Sequence, residues 1–180
     1  LVELSKKQDL NFAVTASGSA PHLAGVELAR ITGAKWVYVP YKGGVQSVQD
    51  TVAGQTQVLM NGMLATYPHV QSGKLKLLGI SKNTRMPLIA DVPTLAEQGA
   101  QGFASGTWQG VVLPAQTPEA VVLRVHQVLL GGIRAPEVRA RLGAQGAEVS
   151  TMTPTETDKF FNAERARWRT VVQTAKLQLD

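Results

Sequence analysis

Cysteine is absent from the 180 residues, which excludes disulfides and thiolate metal sites. The same absence suits any compartment and says nothing about redox environment. Long apolar runs are missing too. One of the longest, residues 75–80, is broken by Lys76 and falls far short of the roughly 20 residues a membrane-spanning helix needs. No block of one charge sign stands out. The formal net charge is +5, but the bases are scattered, and the densest group, Arg165, Arg167 and Arg169, spreads around a helix instead of forming one stripe. Nucleic-acid binding therefore has no footprint here, although a modest positive potential favours small anions. Aromatic residues are few, at 6%. The chain opens at Leu1 with neither a basic segment nor an apolar signal core, so any secretion signal is expected upstream or already removed.

What is present suits a folded α/β protein: 44% of residues are hydrophobic and 17% charged. Short β-branched or apolar runs alternate with helix-period segments. Strands are expected at residues 11–15, 36–40, 57–61 and 74–81. Helices are expected at 20–32, with Leu23, Ala24, Leu28 and Ile31 inward, at 45–53 and at 64–72. Such alternation reads as a parallel sheet with right-handed crossovers. Residues 83–106 break the rhythm with Pro87, Pro93, Gly99, Gly102 and Gly106, around one short helix at 94–98. Beyond them come a strand at 107–113 and a helix opened by Thr117 and Pro118, with Val121, Val125, Val128 and Leu129 as its apolar stripe. A helix at 136–142 and a short strand at 147–150 follow. The last helix is capped by Thr153 with Glu156 in the capping-box position, and Phe161, Trp168, Val172 and Ala175 are its expected inward side. This second part offers too few strands for a sheet of its own.

The segment Thr15-Ala16-Ser17-Gly18-Ser19-Ala20-Pro21-His22 joins a strand to a helix, with Ser19 as N-cap. A turn of this kind directs backbone N–H groups outward at the positive end of a helix, which suits a carboxylate or phosphate, although a plain helix cap has the same pattern. Tyr41-Lys42-Gly43-Gly44 also follows a strand and precedes a helix, and Asn61-Gly62 ends the third strand. In an open parallel sheet the ligand crevice lies beyond the carboxyl ends of the strands, so these three loops are expected to face one cleft. Catalytic constellations are poor. Ser17 or Ser19 with His22 and Asp50 lacks the G-x-S-x-G elbow of a hydrolase. His69 and His126 have no His, Asp or Glu at helical spacing that would make a metal pair. Neither a Walker loop nor a G-x-G-x-x-G fingerprint is present.

An ordered set of short blocks goes further than pattern. Residues 11–13, Gly18-Ser19, His22-Leu23-Ala24-Gly25, Val39-Pro40-Tyr41-Lys42-Gly43-Gly44, Asp50, Gly54-Gln55, Pro68-His69-Val70 and Ser72-Gly73-Lys74-Leu75 come first. Asp91-Val92-Pro93-Thr94, Trp108-Gln109-Gly110, Pro114-Ala115, Thr117-Pro118, Pro136-Glu137-Val138 and Gln145-Gly146-Ala147 follow. In this order the chain resembles the Bug/TctC family, the extracytoplasmic solute-binding receptors of tripartite tricarboxylate transporters.

The resemblance implies an α/β periplasmic binding protein of type II, a Venus flytrap with parallel-sheet lobes. Residues 1–106 would form one nearly complete ligand-binding lobe, and 107–180 an incomplete carboxyl-terminal part of the other. It implies a periplasmic receptor and not an enzyme, without cofactor or metal. The implied ligand is a small carboxylate (a di- or tricarboxylate, an acidic amino acid or an aromatic acid) held by Thr15, Ala16, Ser17, Gly18 and Ser19. Tyr41, Lys42, Gly43 and Asn61 would line the same side of the cleft. The implied partners are the membrane subunits of the transporter and no nucleic acid. The family's amino-terminal portion, with a Pro-Gly-Gly loop, has no counterpart in this chain. Asn61-Gly62 and Leu64 also depart from the family pattern. Edges left uncovered by the missing portion predict dimerisation through the incomplete lobe. The alternatives are a small α/β hydrolase or phosphate-handling enzyme using the Ser17–His22 loop, and a self-associating interaction module.

Overall fold

The computed structural model describes residues 1–175. Three parallel strands, β1 (Asn11–Val14), β2 (Val37–Pro40) and β3 (Val58–Leu59), lie in the order β2-β1-β3. Phe12 is in register with Tyr38 on one side and with Val58 on the other. A short helix, α1 (Val2–Ser5), precedes β1. Helix α2 (Ala20–Thr32) connects β1 to β2, and α3 (Gly44–Val52) connects β2 to β3 across β1. Because those two crossovers run in opposite directions along the sheet, right-handed connections place α2 and α3 on opposite faces. Helix α4 (Met63–Gln71) follows β3.

The central strand is buried on both sides, with Phe12, Ala13 and Val14 all at 1% exposure or less. Leu10, Phe12, Val14 and Val58 form a core cluster against which Trp36, Tyr38 and Met60 pack. The Phe12 ring lies 5.1 Å from that of Trp36 and 5.6 Å from that of Tyr38. On α2, a Cβ at Gly25 would come within 3.1 Å of Phe12 and 3.0 Å of Tyr38, so glycine lets the helix approach the sheet closely. The inward side of α2 is Pro21, Leu23, Ala24, Gly25 and Leu28, as its periodicity predicts except that Ile31 is only half-buried.

Three expected strands do not form. Residues 74–79 are not paired into a ladder, and Ile80 makes only an isolated bridge with Thr94. Residues 107–113 and 147–150 also lack strand pairing. The reason is common to all three: a strand exists through its ladder partner, and β-branched composition supplies none. The helix expected at 94–98 is a hydrogen-bonded turn. Its capping box is fully made, with Thr94 Oγ1 accepting the Glu97 N–H at 3.1 Å and Glu97 Oε2 accepting the Thr94 N–H at 2.6 Å. Gly99 then turns left-handed, at φ 103°, which stops further winding. A 3-10 turn at Pro87–Ile89 precedes it.

The chain forms two units, one of residues 1–107 together with the end of the chain from Val171, the other of residues 108–170. The second unit holds α5 (Glu119–Arg134), α6 (Pro136–Gly143) and most of α7 (Pro154–Thr174). Thr153 caps α7 through its reciprocal bonds with Glu156, as the sequence pattern predicts. Trp108 stacks on Phe161 at 4.7 Å, and His126 Nε2 bonds the Met152 carbonyl at 2.9 Å. Neither α5 nor α6 buries a residue fully. Its expected apolar stripe is largely solvent-facing, with Val121 48% and Val128 60% exposed. On α7 the buried residue is Val171, one position before the expected Val172.

Candidate functional site

Each of the three strands ends at the same edge of the sheet and runs into a helix start. The N-cap residues are Ser19 for α2, Gly43 for α3 and Gly62 for α4. The first turn of an α-helix has N–H groups with no intrahelical acceptor, and its end of the helix carries a partial positive charge. In the order β2-β1-β3 the chain leaves β1 in one direction and returns past it in the other, so a crevice opens beyond the ends of β1 and β3.

The loop after β1 is held by its own polar groups. Ser19 Oγ donates to the Ala16 carbonyl at 2.7 Å and accepts the His22 backbone N–H at 3.4 Å. Gly18 is left-handed, at φ 71°, and its N–H donates to His22 Nδ1 at 2.9 Å. Ala16 and Ser17 are exposed, and Thr15, Gly18 and Ser19 are half-buried. The His22 ring meets Tyr38 edge-on at 4.7 Å, and burial holds its pKa below the ordinary value.

Gly44 is where the three loops meet. A Cβ there would lie 3.1 Å from Asn61 Nδ2 and 3.6 Å from Thr15 Cγ2. Asn61 Nδ2 reaches the Gly44 carbonyl at 3.5 Å, while its Oδ1 accepts the Gly62 N–H at 2.8 Å. Thr15, Gly44 and Asn61 are thereby brought together at the sheet edge. Tyr41 is anchored by its N–H to the Val14 carbonyl at 2.9 Å. Desolvation, and then the neighbouring Asp50 carboxylate, raise its phenol pKa, while a hydrogen bond with Thr56 acts in the opposite sense. Lys42 is exposed at the loop tip, and no bond ties it to Thr15 or Asn61 among the described residues.

The hydrolase arrangement is not assembled. His22 Nδ1 is committed to Gly18, Ser19 Oγ donates to a carbonyl, and Asp50 lies beside Tyr41. Among the described residues no group of three or more His, Cys, Asp or Glu could hold a metal ion. Sequence reasoning missed two participants, His22 as a partner of the Gly18 N–H and Gly44 as the contact between loops. Their signals were present in an imidazole at the third helical position and in a doubled glycine, but the partners of each are distant or conformational.

Together, the fold and this edge define an α/β periplasmic-binding architecture. The model of the tripartite tricarboxylate transporter family receptor (TctC) matches residues 1–177, and the chain belongs to that family. A Pseudomonas sp. (strain P51) protein, described as a UPF0065 protein in the tcbD-tcbE intergenic region, is 31% identical over 95% of this chain and 51% of its own length. Among solved structures, R. palustris Rpa4515 with adipate superposes with a TM-score of 0.92 at 26% identity, covering 97% of this chain and 59% of that one. The periplasmic binding protein BugD gives 0.89 at 28% identity, over 97% and 60%. MatC (Rpa3494) from Rhodopseudomonas palustris with bound malate gives 0.81 at 29% identity, over 91% and 56%. The chain thus spans little more than half the length of these relatives.

Proposed function

We propose that this chain is the greater part of a periplasmic solute-binding receptor that captures a small carboxylate for a tripartite tricarboxylate transporter. The observation that carries the reading is the meeting of three helix N-termini at one sheet edge, where Thr15, Gly44 and Asn61 come together. Outward backbone N–H groups and helix dipoles there offer a carboxylate several donors at once. Adipate in one relative and malate in another supply the ligand class, a small dicarboxylate.

In this reading Thr15, Ala16, Ser17, Gly18 and Ser19 cradle one carboxylate. Tyr41, Lys42, Gly43 and Asn61 line the same side of the site, with Lys42 adding positive potential at its rim. Residues 1–106 act as the ligand lobe and residues 107–180 as part of the opposite lobe, which the remaining length of the receptor completes. Membrane subunits of the transporter then take the ligand from the closed receptor. A second proposal follows from the exposed Val111, Val112 and Val128, at 66%, 73% and 60%: this chain on its own pairs with a second copy through residues 108–170.

The test is a thermal-shift and calorimetry series with adipate, malate and other small carboxylates. A ligand present at about a hundred times its Kd adds about 2.7 kcal/mol of stability. A shift with one or two acids, reduced by Asn61→Asp, supports the reading. Binding of no acid, either by this chain or by the full-length receptor, ends it.

A further inference from the structure

Helix α2 begins with a reciprocal pair of bonds that differs from the common capping box. In that box the N-cap side chain holds the N–H of the third helical residue, and the third residue's side chain reaches back to the N-cap N–H. Here Ser19 Oγ accepts the His22 N–H at 3.4 Å, but the His22 ring reaches one residue further back, to the N–H of Gly18 at 2.9 Å. An imidazole can accept that bond only through an unprotonated Nδ1, so the ring is neutral with its hydrogen on Nε2.

The consequence lies in the loop. With its N–H turned toward the helix, Gly18 is held at φ 71°, and the Ala16 carbonyl is drawn inward by both the N–H and the hydroxyl of Ser19, at 3.2 and 2.7 Å. The N–H groups of Ser17 and Ala20 make no hydrogen bond among the described residues. His22 therefore takes up the Gly18 N–H, as the Ala16 carbonyl takes up that of Ser19, and the N–H groups of Ser17 and Ala20 are left for an anion. The ring itself is fixed by its edge-on contact with Tyr38 at 4.7 Å, and the Tyr38 oxygen is fixed in turn by Trp36 Nε1 at 2.8 Å. A chain of three side chains thus runs from the core to the cradle.

We infer that His22 is the positioning residue of the carboxylate cradle, holding Gly18 so that the Ser17 and Ala20 N–H groups are set for the ligand before it arrives. This rests on the reading of the loop as a carboxylate site. It makes His22 a determinant of affinity without contact with the ligand, since organising donors in advance removes an ordering cost from binding.

The experiment compares wild type, His22→Phe and His22→Asn at about pH 7.5, where imidazole is neutral. Phenylalanine keeps a ring against Tyr38 but has no acceptor. Asparagine keeps an acceptor at the position of Nδ1. Three quantities are read: adipate affinity by calorimetry, Gly18 amide hydrogen exchange by NMR, and melting temperature. Loss of one net hydrogen bond's worth of organisation weakens adipate binding about tenfold and speeds Gly18 exchange in His22→Phe. His22→Asn restores both to within about threefold.

Wild-type affinity in His22→Phe, or a fall in melting temperature alone, overturns the inference by leaving His22 a plain helix cap. If His22→Phe does not fold, His22→Asn decides: retained Gly18 protection supports the role, and lost protection in a folded protein overturns it. If neither this chain nor the full-length receptor binds any small carboxylate, the carboxylate reading is what fails. Gly18 exchange then still settles whether His22 holds the loop.

Discussion

The side-chain amide of Asn61 spans two helix starts, its Nδ2 3.5 Å from the carbonyl of Gly44 and its Oδ1 accepting the N–H of Gly62 at 2.8 Å. Both groups are set by β3, so the end of one strand fixes the relative position of α3 and α4 at the sheet edge. The absence of a Cβ at Gly44 makes this approach available, because a methyl there would sit 3.1 Å from Nδ2. Gly44→Ala is expected to displace Asn61 by a few tenths of an ångström and to weaken adipate binding several-fold. Far-ultraviolet circular dichroism should be unchanged. Calorimetry on the purified variant checks this, and undiminished affinity would remove Asn61 from the site.

Asn61→Asp makes a harsher test of charge. It replaces a donor by an acceptor facing the Gly44 carbonyl and adds a negative charge where an anion is to bind. Even at the effective dielectric of a protein surface, two like charges about 4 Å apart repel by about 4 kcal/mol. Partial solvation reduces this, so the expected loss of adipate affinity is tenfold or more, relieved in part by salt. Equal affinity for adipate in both forms would mean that no carboxylate sits near residue 61.

His22 also predicts a pH dependence with a defined sign. Burial lowers its folded pKa below the unfolded value of 6.5, so protonation favours the unfolded chain. Its contribution to stability is complete above 6.5 and is lost as pH falls through the folded pKa. Tyr38, the titratable ring in contact with it, is held neutral throughout this window because burial raises its pKa. Wild type should therefore lose melting temperature on acidification through this range, and His22→Asn should lose less. Identical slopes for the two proteins would exclude His22 as the titrating group.

Much of the fold was legible from residues alone. The order strand–helix–strand–helix–strand, the cap at Ser19 and the capping box at Thr153 rest on local rules, and local rules act wherever their residues stand. Strands at 74–81 and 107–113 were not legible, because Leu77, Val111 and Val112 announce a preference for extended backbone and say nothing about a ladder partner. The apolar stripe of α5 was read correctly as apolar. The periodicity of Val121, Val125 and Val128 shows which side a helix would bury, not whether anything lies against it. At the site, the glycines and Ser19 were visible as a pattern. The pairing of Gly18 with His22 was not, since it depends on a left-handed φ and a tautomer.

The exposed face of residues 108–170 carries the last prediction. Val111, Val112 and Val128 are 66%, 73% and 60% exposed, and no residue of α5 or α6 is fully buried. Each large apolar side chain moved out of water contributes about 1.5–3 kcal/mol, so a pair of copies covering several of them can offset the cost of association. This chain by itself is expected to be dimeric in light scattering at high concentration, and Val112→Lys with Val128→Lys should return it to a monomer with residues 1–107 intact. The two substitutions lie outside residues 1–107, so adipate binding serves as the control. A wild-type chain that remains monomeric at high concentration would show that hydration of this face, together with the charges of α6 and α7, outweighs its apolar area.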